Sequence, residues 1–210
     1  MLFYDYRKAP NPRVVRMFAA EKGIDLPMRQ VDVPGGENHR APYNTEINRT
    51  GQVPALQLDD GSVVNEILPI CEYLEEVYPE NPVIGATPEE RAATRMWLRW
   101  IDLKYVERMT EACVVQSGPI RDHYAAHNYK TLLPPEMGAV CAQIAREKLA
   151  WLDAEMGEQA FVCGDRFTLA DIHLFVFLDF FEQLNLGYPR ECRWIDSFFK
   201  RVAARPSAAA

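Results

Sequence analysis

GQVPALQLDDGSVVNEI, residues 51–67, carries a complete local instruction. Pro54–Leu58 and Ser62–Val64 are short β-type runs on either side of Asp59-Asp60-Gly61, and Gly61 supplies the positive φ that a tight turn needs. The expectation is an antiparallel hairpin. From Ile67 to Tyr78 the apolar residues Ile67, Ile70, Cys71 and Leu74 fall at helical spacing, with Pro69 tolerated in the first turn. Residues 51–78 therefore read β-β-α.

Toward the N-terminus, Leu2–Tyr6 reads as a strand. Asn11 as N-cap, Pro12 at the first helical position and Gly23 as stop predict a helix over Pro12–Lys22, with Val14, Val15 and Phe18 on its apolar side. Met28–Val33 reads as a second strand, and the stretch after Pro34-Gly35-Gly36, around Ala41–Ile47, as loop plus one short helix. The order is β-α-β, then β-β-α.

Toward the C-terminus, residues 81–89 read as a linker between one domain at 1–80 and an all-helical one at 90–210. Thr87-Pro88-Glu89-Glu90 is a capping box with proline at N1, so a long helix should run from there to about Val115, before Gly118-Pro119 breaks it. A second long helix should follow Pro134-Pro135 and stop at Gly157, after an irregular polar stretch. Thr168-Leu169-Ala170-Asp171 opens a helix that is apolar nearly all round and belongs in a core. A last helix spans Trp194–Ala204.

The chain has 210 residues, a formal net charge of −7 and a 48% hydrophobic fraction. That charge repels a phosphate backbone, so nucleic acid is excluded as a partner. MLFYDYRKAP lacks the pattern of a secretory leader, and no apolar run approaches a membrane span, so no membrane association and a cytoplasmic location are expected. The five cysteines, at 71, 113, 141, 163 and 192, form no CxxC pair and read as small buried hydrophobes. His123 and His127, spaced i, i+4, have no visible third ligand and read as surface residues. His173, on the apolar helix, reads as a satisfied core histidine.

Three marks coincide in order and spacing: Gly51-Gln52-Val53-Pro54 before a hairpin, Glu66 before a helix containing Ile-Cys-Glu-Tyr-Leu, and Phe167-Thr168-Leu169-Ala170-Asp171 in the helical half. Together they resemble the cytosolic glutathione S-transferase family over nearly the whole chain, and the N-terminal run looks bacterial. The resemblance implies a thioredoxin-like α/β domain with a mixed four-stranded sheet, followed by an all-α domain. It implies glutathione as co-substrate, a small hydrophobic electrophile as acceptor and no metal. A homodimer is also implied, through the edge of the helix after Glu66 and the start of the helix after Thr87.

The same resemblance maps site residues. Val53 and Pro54 match a cis peptide whose backbone pairs with the cysteinyl unit of glutathione, against the alternative of an ordinary turn proline. Glu66 matches the acid near the γ-glutamyl amine, or is simply a helix-start acid favoured by the dipole. Ile67 stands where the family has serine, removing a hydroxyl donor worth roughly 1.5–3 kcal/mol. His39, Arg40 and Gln52 are candidates for the glycine carboxylate, with His39 and Arg40 alternatively solvated surface.

Catalysis needs the glutathione thiolate, since a cysteine thiol has an ordinary pKa of about 8.5. The position that matches the family's serine or cysteine is Ala9, which has nothing to donate. Asn11 matches an asparagine that some bacterial members place at the thiol, or is the N-cap of the first helix. Tyr6 is a second candidate hydroxyl, or an aromatic packed against the helical domain. Tyr105, Met109 and Cys113 are candidates for the acceptor pocket. The implied activity is glutathione transfer, with a catalytically weak or silent binding protein as the alternative.

Overall fold

A computed structural model describes residues 1–116, 118–127 and 131–210. The chain divides into two units, Met1–Ile84 together with Pro206–Ala210, and Gly85–Arg205.

In the first unit, β1 (Leu2–Asp5), α1 (Pro10–Lys22) and β2 (Met28–Gln30) precede β3 (Ala55–Gln57), β4 (Val63–Asn65) and α2 (Ile67–Val77). The sheet order is β2-β1-β3-β4, with β1 parallel to β2 and antiparallel to β3, and β3 antiparallel to β4. The mixed pattern follows from the connections, because only the β1–β2 crossover through a helix can join parallel neighbours. Gly61 turns the β3–β4 hairpin at φ 86°. Register places Tyr4 opposite Ala55 and Phe3 opposite Leu56. By strand alternation the two pairs face opposite sides of the sheet. Tyr4 and Ala55 pack with Val31 and Tyr43.

Two buried ion pairs lock the helices. Asp5, at the end of β1, is fully buried and accepts from Arg16 on α1 and from Gln30 Nε2 at 2.5 Å. Burial pushes the Arg16 guanidinium down against the pull of Asp5. Lys22 Nζ meets Glu75 Oε2 at 2.8 Å and the Glu80 carbonyl at 2.9 Å, while Glu75 also accepts from the N–H groups of Val83 and Ile84. Every charge in that second cluster has partners, as buried ions require.

α1 begins two residues earlier than the sequence predicts. Ala9, extended at φ −85°, is the N-cap, and Asn11 is already helical and half-buried, with no capping bond from its side chain. Pro10 and Pro12 both suit the first turn, and a residue before proline is driven to extended backbone, so Ala9–Pro10 takes the boundary. The region 37–47 forms a 3₁₀ turn at Glu37–His39 and a π-helical turn at Tyr43–Ile47.

The second unit is helical. α3 (Pro88–Ile101) runs through a π-helical turn, Asp102–Val106, into α4 (Glu107–Gln116), so the expected long helix is present with a local widening. Where irregular structure was expected, α5 (Gly118–His127) forms, because Pro119 ends one helix yet fits the first turn of the next. Ser117 and residues 128–130 lie outside the described residues. α6 (Pro135–Met156), α7 (Leu169–Gln183) and α8 (Arg193–Ala203) follow. α7 buries nearly all of its side chains and opens on a reciprocal Thr168–Asp171 capping box. Pro206–Ala210 return to the first unit, where Arg13 donates to the Ala208 carbonyl at 3.1 Å and Ser207 bonds Glu21.

Candidate functional site

The 51–67 stretch supplies the backbone of the site. Gly51 sits at φ 69°, and a Cβ there would lie 2.4 Å from His39 Nδ1, so both conformation and contact demand glycine. Val53–Pro54 is cis, as expected. The carbonyls ahead of it are held firmly. Asn38 Nδ2 donates to the Gly51 carbonyl at 2.5 Å, and the Gln52 carbonyl accepts from Tyr43 Oη at 2.7 Å and Asn48 Nδ2 at 3.0 Å. Asn38, Tyr43 and Asn48 are all buried. The Gln52 side chain is exposed. Val53 is the first residue of the turn whose N–H and C=O have no hydrogen-bond partner among the described residues.

At the end of β4, Glu66 adopts φ 73° and ψ 146°, a conformation costing a non-glycine residue about 1–3 kcal/mol. The Glu66 side chain is exposed. Its carbonyl accepts the Ile70 N–H at 3.2 Å, which starts α2. The N–H groups of Glu66, Ile67 and Leu68 then lack helical acceptors, and Pro69 has no N–H. Three donors and the positive end of the helix dipole converge there, a ready receptor for a carboxylate.

The start of α1 is sparser. The Ala9 N–H already bonds the Tyr6 carbonyl at 2.9 Å, and Pro10 and Pro12 carry no N–H. Asn11 therefore holds the sole free N–H of this helix start, together with an uncapped side-chain amide. Tyr6 follows β1 and is half-buried, while Tyr4 is committed to the core with its hydroxyl bonded to Gln57 Oε1 at 3.2 Å.

The remaining candidates are placed differently. Arg40 is exposed, and its guanidinium donates to the carbonyls of Gly35 at 2.6 Å and Gly36 at 3.2 Å. His39 is half-buried against Gly51, with Nε2 3.0 Å from Asn38 Nδ2. In the helical unit Tyr105 and Met109 are fully buried and Cys113 is 3% exposed, so these three are core side chains rather than the lining of an open pocket. The Tyr105 ring packs edge-on against Phe181. His173 is buried as expected, yet neither ring nitrogen makes a hydrogen bond; Nε2 lies 3.5 Å from Asp102. The His123 and His127 rings lie 5.1 Å apart at an interplanar angle of 56°, and no cluster of three metal-ligating side chains occurs among the described residues.

None of the chain's own thiols is poised as a nucleophile. Burial pushes all five cysteines up, Cys113 and Cys192 to about 11, and Cys163, although half-exposed, shifts the same way.

Residues 9–77 match the glutathione S-transferase N-terminal domain, and residues 139–206 match the glutathione S-transferase C-terminal domain. The chain belongs to the glutathione S-transferase family. A glutathione S-transferase domain-containing protein of Marinobacter aquaeolei superposes with a TM-score of 0.89 at 32% identity, covering 99% of each chain. Maleylacetoacetate isomerase of Pseudomonas aeruginosa is 32% identical over 184 residues, 83% of this chain and 78% of that one. Glutathione S-transferase 2 of Saccharomyces cerevisiae is 28% identical over 217 residues, covering 99% and 87%. Within this family the chain is a transferase whose first unit has the thioredoxin-like fold.

Sequence reasoning singled out Val53 and Glu66 through the family resemblance, and the structure has a cis bond after the first and a positive φ at the second. The same reasoning missed Asn38, Tyr43 and Asn48. Their only signal is the density of asparagine in a loop, where short side chains cap backbone groups.

Proposed function

We propose that the chain binds glutathione in its first unit and transfers the thiol to a small hydrophobic electrophile. The observation that carries this is the unpartnered Val53 backbone beside a cis proline, in a member of this family. Val53 pairs with the cysteinyl unit as an added strand would, and the free N–H groups at the head of α2 receive the γ-glutamyl carboxylate. Glu66 meets the γ-glutamyl amine. His39, Arg40 and Gln52 are the residues assigned to the glycine carboxylate. The protein acts in the cytoplasm as a homodimer. Support for a second copy comes from an apolar patch on the helical unit, where Trp97, Trp100 and Trp151 cluster and Met96 is 58% exposed.

Asn11 is the thiolate donor in this reading, since Ala9 has no polar side chain and the flanking prolines have no N–H. A donor there favours the anion, so the pKa of bound glutathione falls below its ordinary value of about 8.5, at about 1.4 kcal/mol per unit. Thiolate absorbance of bound glutathione should titrate lower in wild type than in Asn11→Ala or Asn11→Asp, because an ionised Asp cannot donate. As Asn11 caps nothing, both variants should keep the fold. An unchanged titration in a folded Asn11→Asp protein that still binds glutathione would remove Asn11 from the mechanism. Calorimetry showing no heat with glutathione would sink the whole reading and leave a silent scaffold.

A further inference from the structure

We infer that Tyr43 and Asn48 are positioning residues for glutathione, holding the Gln52–Val53 peptide so that Val53 faces the ligand as a strand edge. The inference rests on the placement of the cysteinyl unit at Val53 made above. A peptide group is planar, so the direction of the Gln52 C=O dictates the direction of the Val53 N–H, which lies in the same plane. Tyr43 Oη at 2.7 Å and Asn48 Nδ2 at 3.0 Å together occupy the two lone pairs of that carbonyl. The peptide plane is thereby pinned from one side, and the Val53 N–H is left pointing away from both donors.

The donors are themselves fixed. Tyr43 is 1% exposed, and its ring meets Tyr4 edge-on at 5.8 Å. Burial also pushes the Tyr43 hydroxyl up, so it stays protonated and donates throughout the working range of pH. Asn48 is oriented by Thr50, whose N–H and hydroxyl donate to its Oδ1 at 3.0 and 2.8 Å. Its own carbonyl accepts the Gly51 N–H at 2.9 Å. Two side chains from the 43–48 turn thus set the aim of a backbone group five to ten positions later. Such a bond strengthens ligand binding only if the group it aims is used by the ligand.

The test compares two ligands by calorimetry: glutathione, and an isostere whose Cys–Gly amide is replaced by a trans carbon–carbon double bond, which has no cysteinyl carbonyl to accept from the Val53 N–H. Tyr43→Phe removes the hydroxyl and keeps the ring. Asn48→Asp keeps the acceptor for Thr50 but turns an oxygen toward the Gln52 carbonyl in place of a donor. Each variant should weaken glutathione by about five- to tenfold, the equivalent of one hydrogen bond, while the isostere without the cysteinyl carbonyl stays within about twofold of its wild-type affinity. Equal losses for both ligands would assign Tyr43 and Asn48 to folding alone and overturn the inference. So would unchanged glutathione affinity in either variant with wild-type circular dichroism. If the wild type fails to distinguish the two ligands, the Val53 placement itself falls, and the inference with it.

Discussion

Glu66 holds an exposed carboxylate on a left-handed backbone that a glycine would adopt without strain. The conformation turns β4 abruptly into α2 and clears the Glu66, Ile67 and Leu68 N–H groups for a ligand. Ile67 is half-buried and offers that ligand only its backbone. Ile67→Ser should therefore tighten glutathione binding about tenfold or more, the worth of a hydroxyl bonded to a charged group, while costing about 1 kcal/mol of stability for lost apolar burial. Calorimetry and denaturant titration read the two effects separately. No change in Kd would mean that the γ-glutamyl carboxylate is not held at this helix start.

The helix starts show how differently elements of one chain solve the same problem. α7 is opened by Asp171, fully buried, which accepts from the Val162 N–H at 2.7 Å, the Thr168 N–H at 2.8 Å and the Thr168 hydroxyl at 2.9 Å. Burial outweighs these donors and pushes the carboxyl up to about 6, against about 3.9 in an unfolded chain. Between those values the folded state binds the extra proton, so the contribution of Asp171 to stability falls as pH rises from about 4 to about 6. The change is of order 3 kcal/mol. Asp171→Asn lacks this titration. Its stability measured by urea unfolding should be lower than wild type at pH 4, and the gap should narrow by pH 7. A gap that widens over that range would reverse the sign and show the carboxylate to be stabilised by its donors.

At the scale of the whole molecule, three tryptophans outside the core gather on one part of the helical unit. Trp100 and Trp151 lie 4.8 Å apart with Trp97 alongside, and Trp151 is 46% exposed. Val140 and Ile144 continue the exposed apolar face of α6 at helical spacing. Light scattering should give twice the 24.0 kDa chain mass at micromolar concentration. Trp151→Glu should shift the mass toward the monomer and move the tryptophan emission to the red. A monomeric wild type would refute the dimer. A dimer indifferent to Trp151→Glu would place its interface elsewhere.

What the amino-acid order determined by itself was the content of residues 51–67 and the opening of each long helix. Those features depend on terms that act within about four residues. Gly61 and Gly51 accept positive φ, proline restricts its neighbour, and Thr168 with Asp171 closes a capping box. The boundary of α1 was not legible, because Pro10 and Pro12 are equivalent locally. The Tyr6–Ala9 hydrogen bond in the tertiary structure accompanies the choice of Ala9, and that choice frees Asn11 from capping. α5 was missed because a proline both ends one helix and begins another. Tertiary structure alone decided that Tyr105, Met109 and Cys113 are core, that Pro206–Ala210 join α1, and that Tyr43 and Asn48 bond the Gln52 carbonyl. Each is a pairing between groups whose meeting depends on how the chain closes, and periodicity along the chain carries no information about which partner a side chain will find.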